Sequence, residues 1–339
     1  MMLSKAAISL LTSGPVCKVL QPLRKNVVPV FLLHRFADES RGIKGHSQAH
    51  LEAALTYLKR NDYTVVSVRQ VVEALISGDA LPPKAVAFTL DDGFYDQAKT
   101  ALPVFESYQA PVTVFLATDM QDHRYWSWDY KLEYAFKHTR HQSLQLDLGK
   151  GATYVTFANS EDKRNLVRTL RNRHKRVPNG VAEAAIESFS KRLEVDLPKA
   201  APDEYQPISW EQARSLESRY IEFGPHTQRH PILAQVSGEE AKKEIIGSWN
   251  ALQTNMANPV PVFCYPSGRE GVDFGAREQE LVKQAGLIGA LSADPGYVHL
   301  NETNINRYAL KRFSFPDNMA HFKQYCSWLE YAKERMSRR

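Results

Sequence analysis

Ala85-Val86-Ala87-Phe88-Thr89-Leu90-Asp91-Asp92-Gly93 is the stretch from which the rest of the chain can be read. The apolar run over residues 85–90 predicts a buried strand. Two carboxylates stand just past its end. Neighbouring strand residues point to opposite faces, so Asp91 and Asp92 can aim differently, one toward a metal and the other free as a base. Gly93 lets the backbone turn sharply behind them. Taken alone, Asp-Asp-Gly also describes an ordinary turn or a helix cap.

Outward from this strand the chain alternates. Residues 27–33 form another apolar run and predict a strand. Ser47 caps a helix reaching Arg60, with Leu51, Leu55 and Leu58 at helical spacing. Residues 63–68 read as a strand and 69–76 as a short helix ending at Ser77-Gly78. A helix over 97–108 and a strand over 112–117 follow. The pattern resumes at Ser209 and Gln212, a capping box opening a helix to about residue 218. A strand comes at 221–223, and Ser237 with Glu240 opens a helix to about 253. Strands over 260–264 and 288–291 flank a helix over 276–285. Strand–helix–strand repetition predicts a parallel α/β fold. Between the halves, residues 121–207 read as an inserted helical subdomain holding Tyr125-Trp126-Ser127-Trp128-Asp129-Tyr130. In it Arg164, Arg168, Arg171 and Lys175 share one helical face. That face either is solvated or meets a diphosphate, an acidic glycan or anionic lipid.

Two further motifs come after predicted strands: His226-Thr227-Gln228-Arg229-His230-Pro231 and Phe263-Cys264-Tyr265-Pro266-Ser267-Gly268. On one helical turn, His226 and His230 would present both imidazoles to one point. With one carboxylate they make a three-ligand site with open positions, the arrangement of catalytic zinc. In a parallel barrel, strand ends meet at one rim, so distance along the chain does not keep these motifs apart.

Composition sets the class. The chain has 339 residues, 43% hydrophobic and 24% charged, enough for one large core or two ordinary ones. A net charge of +5 is too mild for a dedicated nucleic-acid binder. Cys17, Cys264 and Cys326 are too scattered for a disulfide framework and point to a reduced compartment. Residues 1–26 read as an N-terminal segment whose apolar patch, residues 6–11, is short for a signal core and far too short to span a bilayer. The expected location is cytoplasmic, with secretion through an unusual signal as the alternative. Residues 326–339 read as a basic tail that frays into solvent or rests peripherally on a membrane.

With these motifs in this order, the chain resembles the polysaccharide deacetylases of carbohydrate esterase family 4, the chitooligosaccharide-deacetylase type. The resemblance covers residues 27–116 and 209–313. It implies a distorted (β/α) barrel made of residues 27–120 and 208–325, interrupted by the insertion. It also implies a hydrolase that removes acetyl groups, most of all N-acetyl, from a carbohydrate or glycoconjugate, in a role such as cell-surface glycan assembly. By the same resemblance Asp91 is the base, and Asp92, His226 and His230 hold one divalent metal. Zinc leads for that metal, with cobalt, nickel and manganese as alternatives. A backbone N–H in the turn of Tyr265, Pro266, Ser267 and Gly268 would hold the oxyanion. Three features depart from the family pattern. Leu90 replaces the usual Phe, an apolar exchange. Cys264 stands where an arginine usually orients the base, and Arg312 resembles the substitute used in one branch. The usual Leu-x-His motif is absent, and His34 is the leading replacement. Trp126, Trp128 and Asp129 resemble a segment that lies beside the substrate. A deformylase or amidase on a sugar-linked lipid or small molecule, and an inactive carbohydrate-binding protein, are the competing readings.

Overall fold

The computed structural model describes residues 26–121, 125–147, 151–302 and 304–337, together with residues 8, 10–12, 16, 19, 20 and 24. Residues 6, 7 and 9 of the N-terminal patch, Cys17 and the last two arginines of the tail lie outside the described residues.

In chain order the fold begins with β1 (Val27–Val28), β2 (Val30–Leu33), α1 (Gln48–Arg60), β3 (Thr64–Val65), α2 (Val68–Ser77) and β4 (Ala85–Asp92). A π-helical turn (Gln97–Ala101) leads into α3 (Leu102–Ser107), then β5 (Val112–Leu116) and the single turn α4 (Thr118–Gln121). The next segment carries α5 (Trp128–His138), β6 (Ser143–Asp147), β7 (Ala152–Thr156), α6 (Ser160–His174) and α7 (Asn179–Arg192). Beyond it come α8 (Trp210–Leu216), β8 (Ile221–Pro225), α9 (Gly238–Asn255), β9 (Val262–Cys264) and α10 (Ala276–Gln284). The chain finishes with β10 (Gly289–Leu291), β11 (Val298–His299), β12 (Phe313–Ser314), α11 (Met319–Cys326) and α12 (Trp328–Ser337).

The strands form a distorted (β/α) barrel. A parallel sheet runs β12-β2-β4-β5-β8, with β3 also paired to β4. From β8 the ring continues through isolated bonds and one short ladder. Val260 N–H donates to Phe223 C=O (2.7 Å), β9 pairs in parallel with β10, and Leu310 N–H donates to Ala290 C=O (2.9 Å), returning the chain to β12. All eight residues of β4 are buried, as befits a central parallel strand. Asp91 and Asp92 therefore belong to the strand, opposite Phe115 and Leu116, rather than beyond it. The expected strand over 27–33 is split at Pro29, which has no N–H for a ladder. β1 pairs instead with β11, antiparallel.

Local signals fix the helices. Ser47 accepts from His50 N–H, and Ser67 with Gln70 and Ser209 with Gln212 form reciprocal capping boxes. Gly78 closes α2 at φ 78°, a left-handed position that suits glycine. Phe31, Phe88, Phe105 and Phe322 fill the layer between sheet and helices, while Val30, Ala87, Phe115 and Val262 pack on the sheet's other face.

The segment after α4 packs around its own apolar cluster, including Trp128, Phe136, Leu166, Leu170 and Ile186. It is not wholly helical: β6 and β7 form an antiparallel hairpin, with Leu144 and Leu146 of β6 turned inward on alternate positions. The end of the chain is no loose tail over its described length. Phe322 and Cys326 are fully buried, and Leu329 of α12 is buried too. Among the described residues, no helix is long and apolar enough to cross a membrane.

Candidate active site

Asp91 meets Arg312, which lies just before β12. The guanidinium grips both carboxylate oxygens, Nη1 to Oδ1 at 2.8 Å and Nη2 to Oδ2 at 3.0 Å. Two further bonds go to Thr89 Oγ1 (3.0 Å) and Ser292 C=O (2.8 Å), so four of the five guanidinium N–H groups are used. Burial works to raise the Asp91 carboxyl. Arg312, and after it His226, outweigh burial and hold the group below its ordinary value. Cys264, at the position where the family pattern has arginine, offers only a thiol to Asp91 Oδ2 at 3.6 Å.

Asp92 faces the other way. Its Oδ2 accepts from Tyr130 O–H (2.6 Å) and lies 2.8 Å from His34 Nε2. Burial first, then the Asp92 carboxylate, push the Tyr130 phenol well above its ordinary value, so it remains a donor. Asp92 Oδ1 is buried with no hydrogen-bond partner among the described residues. It lies 3.4 Å from His226 Nε2 and 3.5 Å from His230 Nε2. His226 Nδ1 is 2.7 Å from Cys264 C=O. A carbonyl only accepts, so Nδ1 carries a proton and Nε2 is the ring nitrogen that faces Asp92 and His230.

The two imidazoles do not share a helical turn. Residues 226–230 form a loop after β8, with Thr227 at φ 67° and His230 at φ 57°. Pro231 explains this, since the residue before a proline is driven out of the right-handed helical region. Thr227 Oγ1 accepts from His230 N–H (2.9 Å), and Glu244 of α9 accepts from the N–H groups of Gln228 (2.8 Å) and Arg229 (2.9 Å). Sequence patterns single out neither Glu244 nor Tyr130 as a site residue. Glu244 sits far along the chain from the loop it holds, and Tyr130 shows only as one ring in an aromatic cluster.

A cavity of about 920 Å³ opens over these groups, lined by His34, Asp91, Asp129, His226, His230, Tyr265 and Ser267. In the 265–268 turn, Tyr265 N–H is taken by Leu291 C=O and Gly268 N–H by Pro266 C=O. Ser267 N–H has no partner among the described residues and is the turn's remaining donor. Gly268 (φ 70°) has no room for a side chain: a Cβ would lie 2.9 Å from backbone atoms of Ala293 and Tyr265. Trp126 and Trp128 do not face the cavity. Trp126 is buried and donates to Pro198 C=O, and Trp128 belongs to the core of the insertion. Their large apolar area is spent on packing. Of that predicted trio only Asp129 reaches the cavity.

Asp92, His226 and His230 offer ligand atoms that all lie within 4.8 Å of one another. An orphaned buried carboxylate oxygen facing two imidazole nitrogens fits a divalent cation, as does the mixed N/O donor set. Asp91, His226 and Cys264 cluster as closely. That group fits less well, because Arg312 already holds both oxygens of Asp91.

A family model described as polysaccharide deacetylase matches residues 78–288. The chain belongs to the polysaccharide deacetylase family. Among curated relatives, this deacetylase-family chain is 31% identical over 93 residues to a poly-beta-1,6-N-acetyl-D-glucosamine N-deacetylase of Escherichia coli K12. The match takes in 27% of this chain but 14% of that much longer relative. Solved structures share the fold at low identity. The Streptococcus pyogenes deacetylase PplD, in complex with acetate, aligns with TM-score 0.55 and 16% identity over 86% of this chain and 94% of that one. IcaB from Ammonifex degensii aligns with TM-score 0.56 and 14% identity over 91% and 98%. A de-N-acetylase from Aggregatibacter actinomycetemcomitans aligns with TM-score 0.55 and 14% identity over 88% and 99%.

Proposed function

We propose that this protein is a metal-dependent hydrolase that removes an N-acetyl group from a carbohydrate or glycoconjugate. The observation that carries the reading is the division of labour between adjacent carboxylates. Asp91 is locked to Arg312, while Asp92 is turned to His226 and His230, and Asp91 and both imidazoles open on one cavity.

Asp92, His226 and His230 would hold the metal, for which zinc suits the donor set. The ion would supply Lewis acidity, making water a better nucleophile and polarising the acyl carbonyl. Asp91 takes a proton from the attacking water. Arg312 keeps that carboxylate ionised beforehand and fixed in direction. Ser267 N–H donates to the carbonyl oxygen as negative charge develops there. His34, half exposed to the cavity, donates a proton to the departing nitrogen as the C–N bond breaks. Acetate and a free amine result. Tyr130 holds Asp92 in place through its second oxygen.

The test measures metal content and acetate release over a panel of N-acetylated sugars and oligomers. Wild type should show metal-dependent release. Asp91→Asn should keep the metal and lose release, and His226→Ala should lose both. A folded, metal-loaded wild type that frees no acetate from any member would overturn the reading.

A further inference from the structure

Eight cationic side chains line the cavity against four carboxylates. The carboxylates are already matched. Asp91 is held by Arg312, Glu133 by Arg171 at 2.9 Å, Asp129 by Arg171 at 3.8 Å, and Glu204 by Lys137. Lys44, Lys163, Arg164, Arg168 and Lys175 form no salt bridge among the described residues, although the charge of Lys175 also acts on Asp273. Lys163 donates to Thr139 C=O and Arg168 to the Asn165 side chain, neutral groups that leave their charge uncompensated.

Four of the five come from α6 and the residue that ends it. The inward side of that helix is anchored by buried Leu166 and Leu170, which leaves its cationic side lining the cavity, with Arg164 and Arg168 also open to solvent. From Lys163 to Lys175 the wall runs about 18 Å at the rise of an α-helix. Lys175 stands at the same end of the cavity as His230, on which its charge acts, and Lys44, from the loop after β2, joins the lining from the barrel side. Uncompensated cations inside a concave wall concentrate their field on whatever enters. Arginine and lysine together favour carboxylate or phosphate oxygens.

We infer that the glycan processed here is anionic: its reacting acyl group sits at the Asp92–His226–His230 end while carboxylate or phosphate groups on neighbouring positions lie along α6. The inference rests on the deacetylase reading only for where the acyl group is placed. The wall itself acts on charge.

Equilibrium binding to the metal-loaded full chain tests this with three probes. They are an oligosaccharide alternating N-acetylglucosamine with glucuronate, a neutral N-acetylglucosamine oligomer of equal length, and inorganic pyrophosphate as competitor. At low salt the wild type should bind the uronate probe at least about tenfold more tightly than the neutral one, or release the neutral one to pyrophosphate. The first outcome assigns the charge to carboxylate and the second to phosphate. In either case high salt and the exposed double substitution Arg164→Glu/Arg168→Glu should abolish the effect, while the unfolding midpoint stays put. Equal affinity for both oligomers with no competition by pyrophosphate would sink the proposal. So would a preference that survives the double substitution. Acetate release on the same preparations separates the two readings. Anion preference without release from any probe removes the deacetylase reading alone, and release without preference removes the anionic wall alone.

Discussion

Arg312 is 1% exposed and its partner carboxylate is nearly as enclosed, so neither charge has water to fall back on. Removing one member of such a pair costs about 3–5 kcal/mol because the other is left buried and unpaired. Arg312→Ala should therefore lower stability by that order in urea unfolding and abolish acetate release. Arg312→Lys keeps the charge but not the fork, and should recover stability better than turnover. Tyr130 makes a subtler prediction. Tyr130→Phe removes only the hydroxyl on Asp92 Oδ2 and should weaken metal binding about 10–100-fold in chelator competition, with the fold intact. Unchanged affinity would mean that Tyr130 does not position Asp92 when metal is bound.

At the scale of elements, the histidine loop depends on α9 for its shape. The Glu244 carboxylate accepts two part-buried loop N–H groups, and Glu244→Ala leaves both without that acceptor. A loss of about 1–3 kcal/mol is expected for such an orphaned group, together with weaker metal binding. Glu244→Gln, which keeps an oxygen there, should fall between the alanine variant and wild type in thermal unfolding. The strand ends that carry the motifs were legible because buried parallel strands announce themselves as apolar runs, and capping residues such as Ser47 and Ser209 act within one turn of themselves. Three things were illegible for the opposite reason. The partnership of Glu244 with residues 228 and 229 is made in space, the hairpin at 143–156 is too short to show a clear period, and Tyr130 looked no different from its aromatic neighbours. The spacing of His226 and His230 suits a helical turn, but their meeting is made by a loop with left-handed residues at Thr227 and His230.

For the whole molecule, the barrel is sealed by its two C-terminal helices, α11 and α12. Phe322 sits 5.0 Å from Phe31, ring centre to ring centre, within the layer that also holds Phe88 and Phe315. Ending the chain after Asp317 would expose this layer, at about 1.5–3 kcal/mol for each large side chain returned to water. The shortened protein should lose its near-UV circular dichroism and its cooperative thermal transition. A variant that melts like the full chain would show that α11 and α12 are dispensable. Fold class was readable at this scale because strand–helix alternation persists on both sides of the insertion. What the insertion does was not, since a basic helical face reads the same in sequence whether it meets solvent or a cavity.

Asp91 and Arg312 are 221 residues apart along the chain. On a ribosome adding about 5–20 residues each second, the carboxylate waits about 10–40 s for its guanidinium. His226 and His230 emerge well before that wait ends. A growing chain thus acquires Asp92, His226 and His230 while Asp91 still lacks its counter-ion, and the last strand of the barrel completes the cluster. Synthesis order alone delays competence until the barrel's final strand is in hand.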